Sequence, residues 1–299
     1  MIVIQISYGF GNQIFQYMHA IELSKKFPNE VIFLEKNHFN NQNHSFDKRK
    51  YQLFFFDNLK FELIETKFFR DYFKFKSNSL RRLWQIKNFI TFNKDNYFVI
   101  KNDTNKFINF LSNFSKKKYY IGGWNYVDHS IVNLRSEFKR LNISKEARKL
   151  YINTHWIDKI KNSNSIAICV RRSDYARYGM SSNLEYFCKA IEFFNNRFSN
   201  NSFFVFSDDI DWCLKNFNQL NNIYFIDTNK DAPLEDLLLI SYCKHAIISK
   251  STFNILGCYI NENPDKIIVT EVDWDISYIN SFKTLFLTND FRVMCENSS

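Results

Sequence analysis

The chain has 299 residues, of which 45% are hydrophobic and 18% aromatic, with only 6 Gly and 3 Pro. This composition excludes collagen-like, low-complexity and disordered chains, and the length predicts a folded protein of about two domains. Forty Lys and Arg against 31 Asp and Glu give 40 − 31 = +9, which favours an anionic partner: a phosphorylated small molecule, a nucleic acid or an anionic membrane surface.

Strands alternate with helices along the chain, which predicts parallel α/β sheets. The first unit is a strand at 2–6, a glycine turn and a helix, and a polar seam within 145–163 separates it from a second series that begins with a strand at 166–170. That series continues with strands at 203–206, 223–226, 246–249 and 267–270 and helices at 184–197, 210–217, 234–244 and 252–261. We place a domain boundary between residues 155 and 156.

The cysteines and the amino terminus indicate the cellular compartment in which we expect the protein. The six cysteines have no C-x-x-C spacing, so we expect reduced thiols rather than a zinc site or a disulfide framework. The start MIVIQISYGFGNQ lacks a cationic leader, and no run of about 18 apolar residues occurs. We therefore expect a cytoplasmic protein with no membrane-spanning helix.

Polar residues follow the first predicted strand, in the glycine turn Gly9-Phe10-Gly11-Asn12-Gln13. In open parallel sheets ligands bind beyond the carboxyl ends of the strands. Glycines let a ligand approach the backbone, and the N–H groups that open the next helix favour an anion. A tight strand-to-helix turn without a ligand is the plainer interpretation of the same residues.

A pair of arginines, Arg171-Arg172, follows the strand at 166–170. Guanidinium groups bind phosphate oxygens in a bidentate manner and keep their charge, so the pair is a candidate phosphate site. A surface ion pair with Asp174 is the alternative. Asp174 is also a candidate general base, although its arginine neighbours make a role in orienting them an equal alternative.

Two further strand ends carry polar residues. Ser207-Asp208-Asp209 allows a contact with a ribose or base, a metal site, or a helix cap. The segment Ser249-Lys250-Ser251-Thr252-Phe253 brings hydroxyls and a cation to the start of a helix, as a phosphate site requires, and helix capping is again the alternative.

Five segments, taken in order, resemble the motifs of glycosyltransferase family 11, the bacterial α-1,2-fucosyltransferases. They are GFGNQIFQY at 9–17, YIGGWNY at 120–126, VRRSDY at 170–175, FSDDIDWC at 206–213 and DLLLISYCKHAIISKSTF at 236–253. The resemblance covers residues 1–275. It implies the α/β GT-B fold, two Rossmann-like domains with a cleft between them: an acceptor-side domain at 1–155 and a GDP-sugar domain at 156–299.

The resemblance also implies an activity. The expected enzyme is a galactoside 2-α-L-fucosyltransferase of the inverting kind, which uses GDP-β-L-fucose as donor substrate and needs no metal ion or other cofactor. Its acceptor would be a galactose-terminated glycan, free or lipid-linked, in surface polysaccharide, lipopolysaccharide or O-antigen synthesis. Another GDP-6-deoxysugar is the alternative donor.

The same resemblance assigns roles to individual residues. Arg171 and Arg172 would hold the β-phosphate and stabilise the departing GDP. Asn12, with Gly11 and Gln13, would reach the fucose or the bond that breaks. The remaining contacts, with guanosine and the diphosphate, would come from Asp208, Asp209, Asp236, Ser251, Thr252 and Phe253.

Some positions depart from the family pattern. Cys169 and Ser173 replace the usual His and Gly of H-x-R-R-G-D, and Lys250 replaces the usual Asn before Ser-Thr-Phe. These changes leave the identity of the donor sugar open. Lys250 could add a phosphate contact or face solvent.

Other functions stay open at this point. The basic, aromatic-rich segment at 67–87 is typical of a helix on an anionic membrane surface and also of a solvated helix packed by its aromatic residues. A nucleic-acid-binding protein is an alternative suggested by the charge, although the arginine pair at a strand end with acidic neighbours argues against it. A metal-dependent GT-A transferase using Asp208-Asp209-Ile210-Asp211 is another. The sequence gives no oligomeric state.

Overall fold

The computed structural model describes residues 1–40, 48–65, 79–80, 83, 98–101, 104–114, 118–122, 134–145, 147, 154–177, 179–227, 232–271 and 291–294. The chain forms two compact units, Met1–Asn142 and Ile143–Ser299. The boundary that we placed between 155 and 156 falls within the helix Thr154–Lys161, which packs on elements of the second unit.

The first unit contains a parallel sheet whose strands lie in the order β2-β1-β4-β3. Val3 and Tyr120 are buried on one face of this sheet, against partly buried hydrophobic residues of the same unit. Its elements in chain order are β1 (Ile2–Gln5), α1 (Phe10–Lys26), β2 (Ile32–Glu35), a 3₁₀ turn (Leu53–Phe55), β3 (Phe98–Lys101), α2 (Thr104–Ser112), β4 (Tyr119–Gly122) and α3 (Leu134–Lys139).

The second unit contains a larger parallel sheet, with strands in the order β10-β9-β8-β5-β6-β7. Its elements in chain order are α4 (Thr154–Lys161), β5 (Asn164–Val170), α5 (Ser173–Arg177), α6 (Leu184–Arg197), β6 (Asn201–Ser207), α7 (Ile210–Phe217), β7 (Ile223–Ile226), α8 (Pro233–Tyr242), β8 (His245–Ile248), α9 (Thr252–Ile260), β9 (Ile268–Glu271) and β10 (Phe291–Met294). The strand order reverses between β5 and β8, so the carboxyl ends of these strands are where an open sheet binds ligands.

The central strand β5 is buried on both faces, as is typical of parallel sheets. Ile166, Ile168 and Val170 pack in the core that includes Phe187 of α6 and Phe217 of α7. Because side chains alternate along a strand, Ala167 and Cys169 point to the opposite face. The strand that precedes the arginine pair is therefore held in place by packing on both of its faces.

Helices α8 and α9 pack closely on each other at Gly257. A Cβ atom at this position would lie 2.6 Å from Cγ2 of Ile240. The glycine therefore sets how closely α9, which begins beside the end of β8, approaches its neighbour.

No helix of the described ranges is long and apolar enough to cross a membrane. Most of the basic, aromatic-rich segment at 67–87, and Gly123–Tyr126 of the predicted YIGGWNY motif, lie outside the described residues. The interpretation of 67–87 as a membrane-surface helix stays a prediction.

Candidate functional site

The turn after β5 is fixed to the end of β8 by a buried serine. The backbone N–H of Arg171 donates to Oγ of Ser249 at 2.8 Å, and the Ser249 hydroxyl donates to the carbonyl oxygen of Cys169 at 2.9 Å. The buried Asn254 amide donates to the carbonyl oxygen of Ser249 at 3.1 Å, which ties the turn to α9. These hydrogen bonds hold the start of the arginine pair in one backbone position.

The two guanidinium groups are paired with carboxylates. Arg171 contacts Asp174 through Nη2 and Oδ1 at 2.6 Å and Asp208 through Nη1 and Oδ2 at 2.5 Å. Arg172 contacts Asp209 through Nε and Oδ2 at 3.2 Å, and its guanidinium carbon lies 4.2 Å from the centroid of the Trp212 ring. A guanidinium carries five N–H donors, and these carboxylates engage only part of them.

Both arginine side chains remain accessible, with relative exposures of 21% for Arg171 and 19% for Arg172. They are thus largely desolvated but open on one side. An anion bound there would meet two preoriented charges with little competition from water. The ion pair with Asp174, which the sequence allowed as an alternative, is present as well.

Asp208 and Asp209 organise the arginines from the neighbouring strand end. Asp208 accepts a hydrogen bond from the backbone N–H of Arg172 at 2.8 Å, in addition to its contact with Arg171. Asp209 caps α7 by accepting from the N–H of Trp212 at 3.2 Å. Helix capping is therefore observed, and a contact of either residue with guanosine stays a prediction.

The carboxylates of this acidic segment contact arginine and backbone groups. Within the part of the chain that the structure describes, no group of three His, Cys, Asp or Glu side chains is placed to hold a metal ion. The contacts of Asp208 and Asp209 are instead with arginine and backbone groups.

The other predicted donor residues of this unit lie at the starts of α9 and α8. Ser251 caps α9 by accepting from the N–H of Phe253 at 3.2 Å, and Thr252 is the first residue of the helix. Asp236 lies in the first turn of α8. Lys250 has its Nζ 3.6 Å from Oε2 of Glu271 at the end of β9. All of these positions lie at the same edge of the sheet as the arginine pair.

Cys169, which stands where the family usually has His, is a core residue. Its side chain is completely buried, and burial, with a smaller contribution from the nearby thiols of Cys258 and Cys243, raises the pKa of its thiol well above the usual range. The thiol therefore stays protonated. Cys169 therefore belongs to the core behind the arginine pair and not to the surface that the pair presents.

The glycine turn of the first unit is held by buried glutamine side chains. Nε2 of Gln13 donates to the carbonyl oxygens of Tyr8 and Lys50, both at 2.9 Å, and its Oε1 accepts from the N–H of Gln52 at 2.8 Å. Gln13 thus joins the turn to residues 48–52. The contacts of this side chain are internal, and the predicted contact of Gln13 with the donor stays a prediction.

Gly11 and Asn12, which we expect to contact the donor with Gln13, lie in the first turn of α1. Both are buried, with Asn12 at 9% relative exposure. The structure places these residues in the first unit and the remaining predicted site residues in the second.

A second polar cluster, which the sequence analysis missed, lies at the carboxyl end of the first sheet. Glu35 is completely buried, and burial raises the pKa of its carboxyl to about 7 despite hydrogen bonds from the N–H of Asn37 and the hydroxyl of Tyr120. Gln5 lies beside it in register, and no described residue hydrogen-bonds to its buried amide. The signal was a polar residue ending each of two apolar strands, IVIQ and IFLE.

Known glycosyltransferases are similar to this chain over most of its length. The family model of Glycosyl transferase family 11 matches residues 1–288. O-antigen biosynthesis glycosyltransferase WbnK of Escherichia coli is 25% identical over 90% of this chain and 93% of its own length.

Two other relatives match shorter stretches. An alpha-1,2-colitosyltransferase of Escherichia coli is 30% identical over 54% of this chain and 58% of that protein. Galactoside 2-alpha-L-fucosyltransferase Sec1 of Mus musculus is 26% identical over 47% of this chain and 40% of that protein.

Among solved structures, the alpha-1,6-fucosyltransferase NodZ co-crystallized with GDP has a similar fold. The TM-score is 0.57 at 11% identity, over 90% of this chain and 94% of that one. The predicted fold class, α/β of the GT-B type with parallel sheets, is confirmed.

Proposed function

Because this chain belongs to glycosyltransferase family 11, we propose that it transfers L-fucose from GDP-β-L-fucose to the 2-hydroxyl of a galactose-terminated glycan. The relatives named for O-antigen biosynthesis and for galactoside 2-alpha-L-fucosyl transfer support this reaction and a place in surface polysaccharide assembly. The single observation that carries the proposal is the half-buried pair Arg171-Arg172, fixed where the strand order of the second sheet reverses.

The arginine pair would act on the leaving group. Breaking the bond between sugar and phosphate builds negative charge on the departing GDP, and preoriented guanidiniums stabilise that charge without reorganising. The hydrogen bond from the Arg171 N–H to Ser249 and the carboxylate contacts supply this preorientation. The pair would then stabilise the diphosphate charge that a metal ion stabilises in GT-A enzymes, so we propose a reaction that needs no metal.

Inversion requires the acceptor hydroxyl to attack from the face opposite the phosphate. Asp174 is held against Arg171 at 2.6 Å, which favours its role in orienting that arginine over a role as base. If bond breaking runs ahead of attack, the sugar carries most of the positive charge and a strong base is not needed. Asn12 would contribute a contact with the sugar from the first turn of α1.

A second donor is favoured by a specific observation. One relative, 30% identical over 54% of this chain, is an alpha-1,2-colitosyltransferase. Another GDP-6-deoxysugar is therefore the alternative donor for the same site and the same arginine chemistry.

We further propose that the enzyme works in the cytoplasm, at the inner face of the membrane when its acceptor is lipid-linked. The test is sedimentation with anionic phosphatidylglycerol vesicles at low salt. Co-sedimentation that salt reverses is expected for peripheral binding. A protein that stays in the supernatant would leave only the cytoplasmic part of this proposal.

Calorimetric titration in EDTA tests the donor assignment. GDP, GDP-fucose, GDP-mannose and UDP-galactose are titrated into the protein, into Arg172→Ala and into Arg197→Ala. Arg197 is the matched control, because it is an exposed arginine of the same unit at the far end of α6. Product analysis with a galactoside acceptor then identifies the sugar and the linkage.

We expect guanine nucleotides to bind to the parent protein and to Arg197→Ala but not to Arg172→Ala, and transfer to persist in EDTA. Absence of guanine-nucleotide binding would remove the donor site. Near-normal turnover by Arg172→Ala would remove the assignment of the phosphate contact. Activity that EDTA abolishes would favour a metal-dependent reaction.

A further inference from the structure

Tyr8, at the turn between β1 and α1, has a backbone conformation that bulky residues rarely adopt. Its φ is +65°, in the left-handed region. Such a conformation costs an L-residue with a Cβ about 1–2 kcal/mol. The other non-glycine residues with positive φ in the described ranges are Asn200 and Asn222, and asparagine tolerates this region well.

The residues around Tyr8 hold it in this conformation. Gln13 donates to its carbonyl oxygen, and Gln16 accepts from the N–H of Ser7 at 2.8 Å while donating to the Ser7 hydroxyl at 2.9 Å. Both glutamine side chains are buried. Strained residues that persist because their surroundings fix them concentrate at ligand-binding sites, so the conformation of Tyr8 points to a use for its ring.

The ring of Tyr8 packs on the ring of His38, with centroids 5.0 Å apart and planes inclined at 53°. His38 follows β2, and the turn that carries it is fixed by the hydrogen bond from the N–H of Asn37 to the buried carboxylate of Glu35. Both rings are only partly buried. The sequence thus builds an aromatic pair, Tyr8 with His38, at the carboxyl end of the first sheet.

The backbone beside the pair is open. A Cβ atom built on Gly9 meets no other atom within 4 Å, so a ligand can lie against the chain there. The pair follows the ends of β1 and β2, which is the edge where open parallel sheets bind ligands. Aromatic rings that lie beside open space and carry polar atoms at their edges are typical of small-molecule sites.

We propose that the pair of Tyr8 and His38 is a stacking platform for one pyranose ring of the acceptor glycan. A pyranose presents an apolar face of C–H groups that packs on aromatic rings. The identification of the ligand as the acceptor rests on the proposed function. The pair lies in the first unit, and the arginines that would hold the anionic donor lie in the second.

The test uses variants that separate binding from folding. Tyr8→Gly removes the ring and relieves the backbone strain, because glycine adopts positive φ without penalty. His38→Ala removes the second ring. Phe54→Ala is the matched control, since Phe54 is a 51% exposed aromatic residue of the same unit outside the pair.

Two readouts are measured for each protein: steady-state transfer from GDP-fucose with lactose as acceptor, and saturation-transfer NMR of lactose with the protein and GDP. Calorimetry with GDP and a melting curve complete the set. For Tyr8→Gly and His38→Ala we expect KM for lactose to rise about tenfold or more, with loss of the NMR signal from lactose. Affinity for GDP should stay unchanged, and the melting curves should show that both variants are folded.

The proposal is overturned by unchanged lactose KM and NMR signal in both variants, by a loss of GDP affinity that assigns the rings to the donor, or by equal losses in Phe54→Ala. If the parent protein transfers fucose and both variants match it, the proposed function is kept and only the stacking platform is refuted. A parent protein that binds neither GDP nor lactose removes both.

Discussion

The buried carboxyl of Glu35 makes the stability of the first unit depend on pH. The carboxyl has a pKa of about 7 in the folded chain and 4.5 as the ordinary value, and the cause is burial, since its hydrogen bonds from Asn37 and Tyr120 act in the opposite direction. The folded state therefore binds the Glu35 proton more tightly than the unfolded state does. Stability from this group is complete below pH 4.5 and is lost as the pH rises through 7.

The size of the effect follows from the two pKa values. Each tenfold difference in proton affinity corresponds to about 1.36 kcal/mol, so the whole difference is about 3 kcal/mol, of which about 2.5 kcal/mol falls between pH 5 and pH 8. Glu35→Gln keeps the shape of the protonated side chain and cannot ionise. We therefore expect the parent protein to lose about 2.5 kcal/mol relative to Glu35→Gln over this range.

The assay is urea unfolding at pH 5, 6, 7 and 8, followed by far-ultraviolet circular dichroism, with hydrogen exchange of the β1 and β2 amides to assign the change to the first unit. Glu62→Gln is the control, because Glu62 is an exposed glutamate of the same unit. It should follow the parent protein at every pH. Parallel stability curves for the parent protein and Glu35→Gln would refute the assignment of this pH dependence to Glu35.

Further predictions concern packing and the site. Gly257→Ala should lower the free energy of unfolding by about 1–3 kcal/mol, because its Cβ would lie 2.6 Å from Ile240. Adding Ile240→Ala to this variant should restore part of the lost stability. Calorimetric melting measures both variants. Asn254→Ala should lower the free energy of unfolding by about 1–3 kcal/mol, because the turn that carries the arginines loses a hydrogen bond. It should also lower kcat more than it weakens GDP binding, which steady-state kinetics and calorimetric titration with GDP measure. Gln13→Ala should release residues 48–52 and speed proteolytic cleavage there about tenfold, with equal cleavage rates contradicting the role given to its amide.

Much of the fold could be predicted because the pattern is local. Alternating apolar strands and amphipathic helices are readable within windows of about ten residues, and the helix predicted at 184–197 is α6, Leu184–Arg197. Positions at strand ends were also predictable, because the carboxyl ends of parallel strands share one edge. This is why the arginine pair, the acidic segment 207–209 and the segment 249–253 were predicted as one site.

The contacts within the site could not be predicted, because they join distant parts of the chain. Ser249 meets Arg171 only because β8 pairs with β5 across 78 residues of sequence, and Gln13 bonds to Gln52 across 39. The burial of Glu35 and the positive φ of Tyr8 likewise depend on tertiary packing. Sequence patterns name residue types at the edge of the sheet, and the three-dimensional pairing decides which of them contact each other.

The carboxylates around the arginine pair have a consequence for product release. Two guanidiniums face three carboxylates, those of Asp174, Asp208 and Asp209, so these five side chains together have a formal charge of 2 − 3 = −1. For the proposed reaction, free GDP carries about one more negative charge at pH 7 than a GDP-sugar, because its terminal phosphate is no longer esterified. The carboxylates therefore offset part of the attraction that the two guanidiniums exert on GDP, which limits how tightly the product is held after transfer.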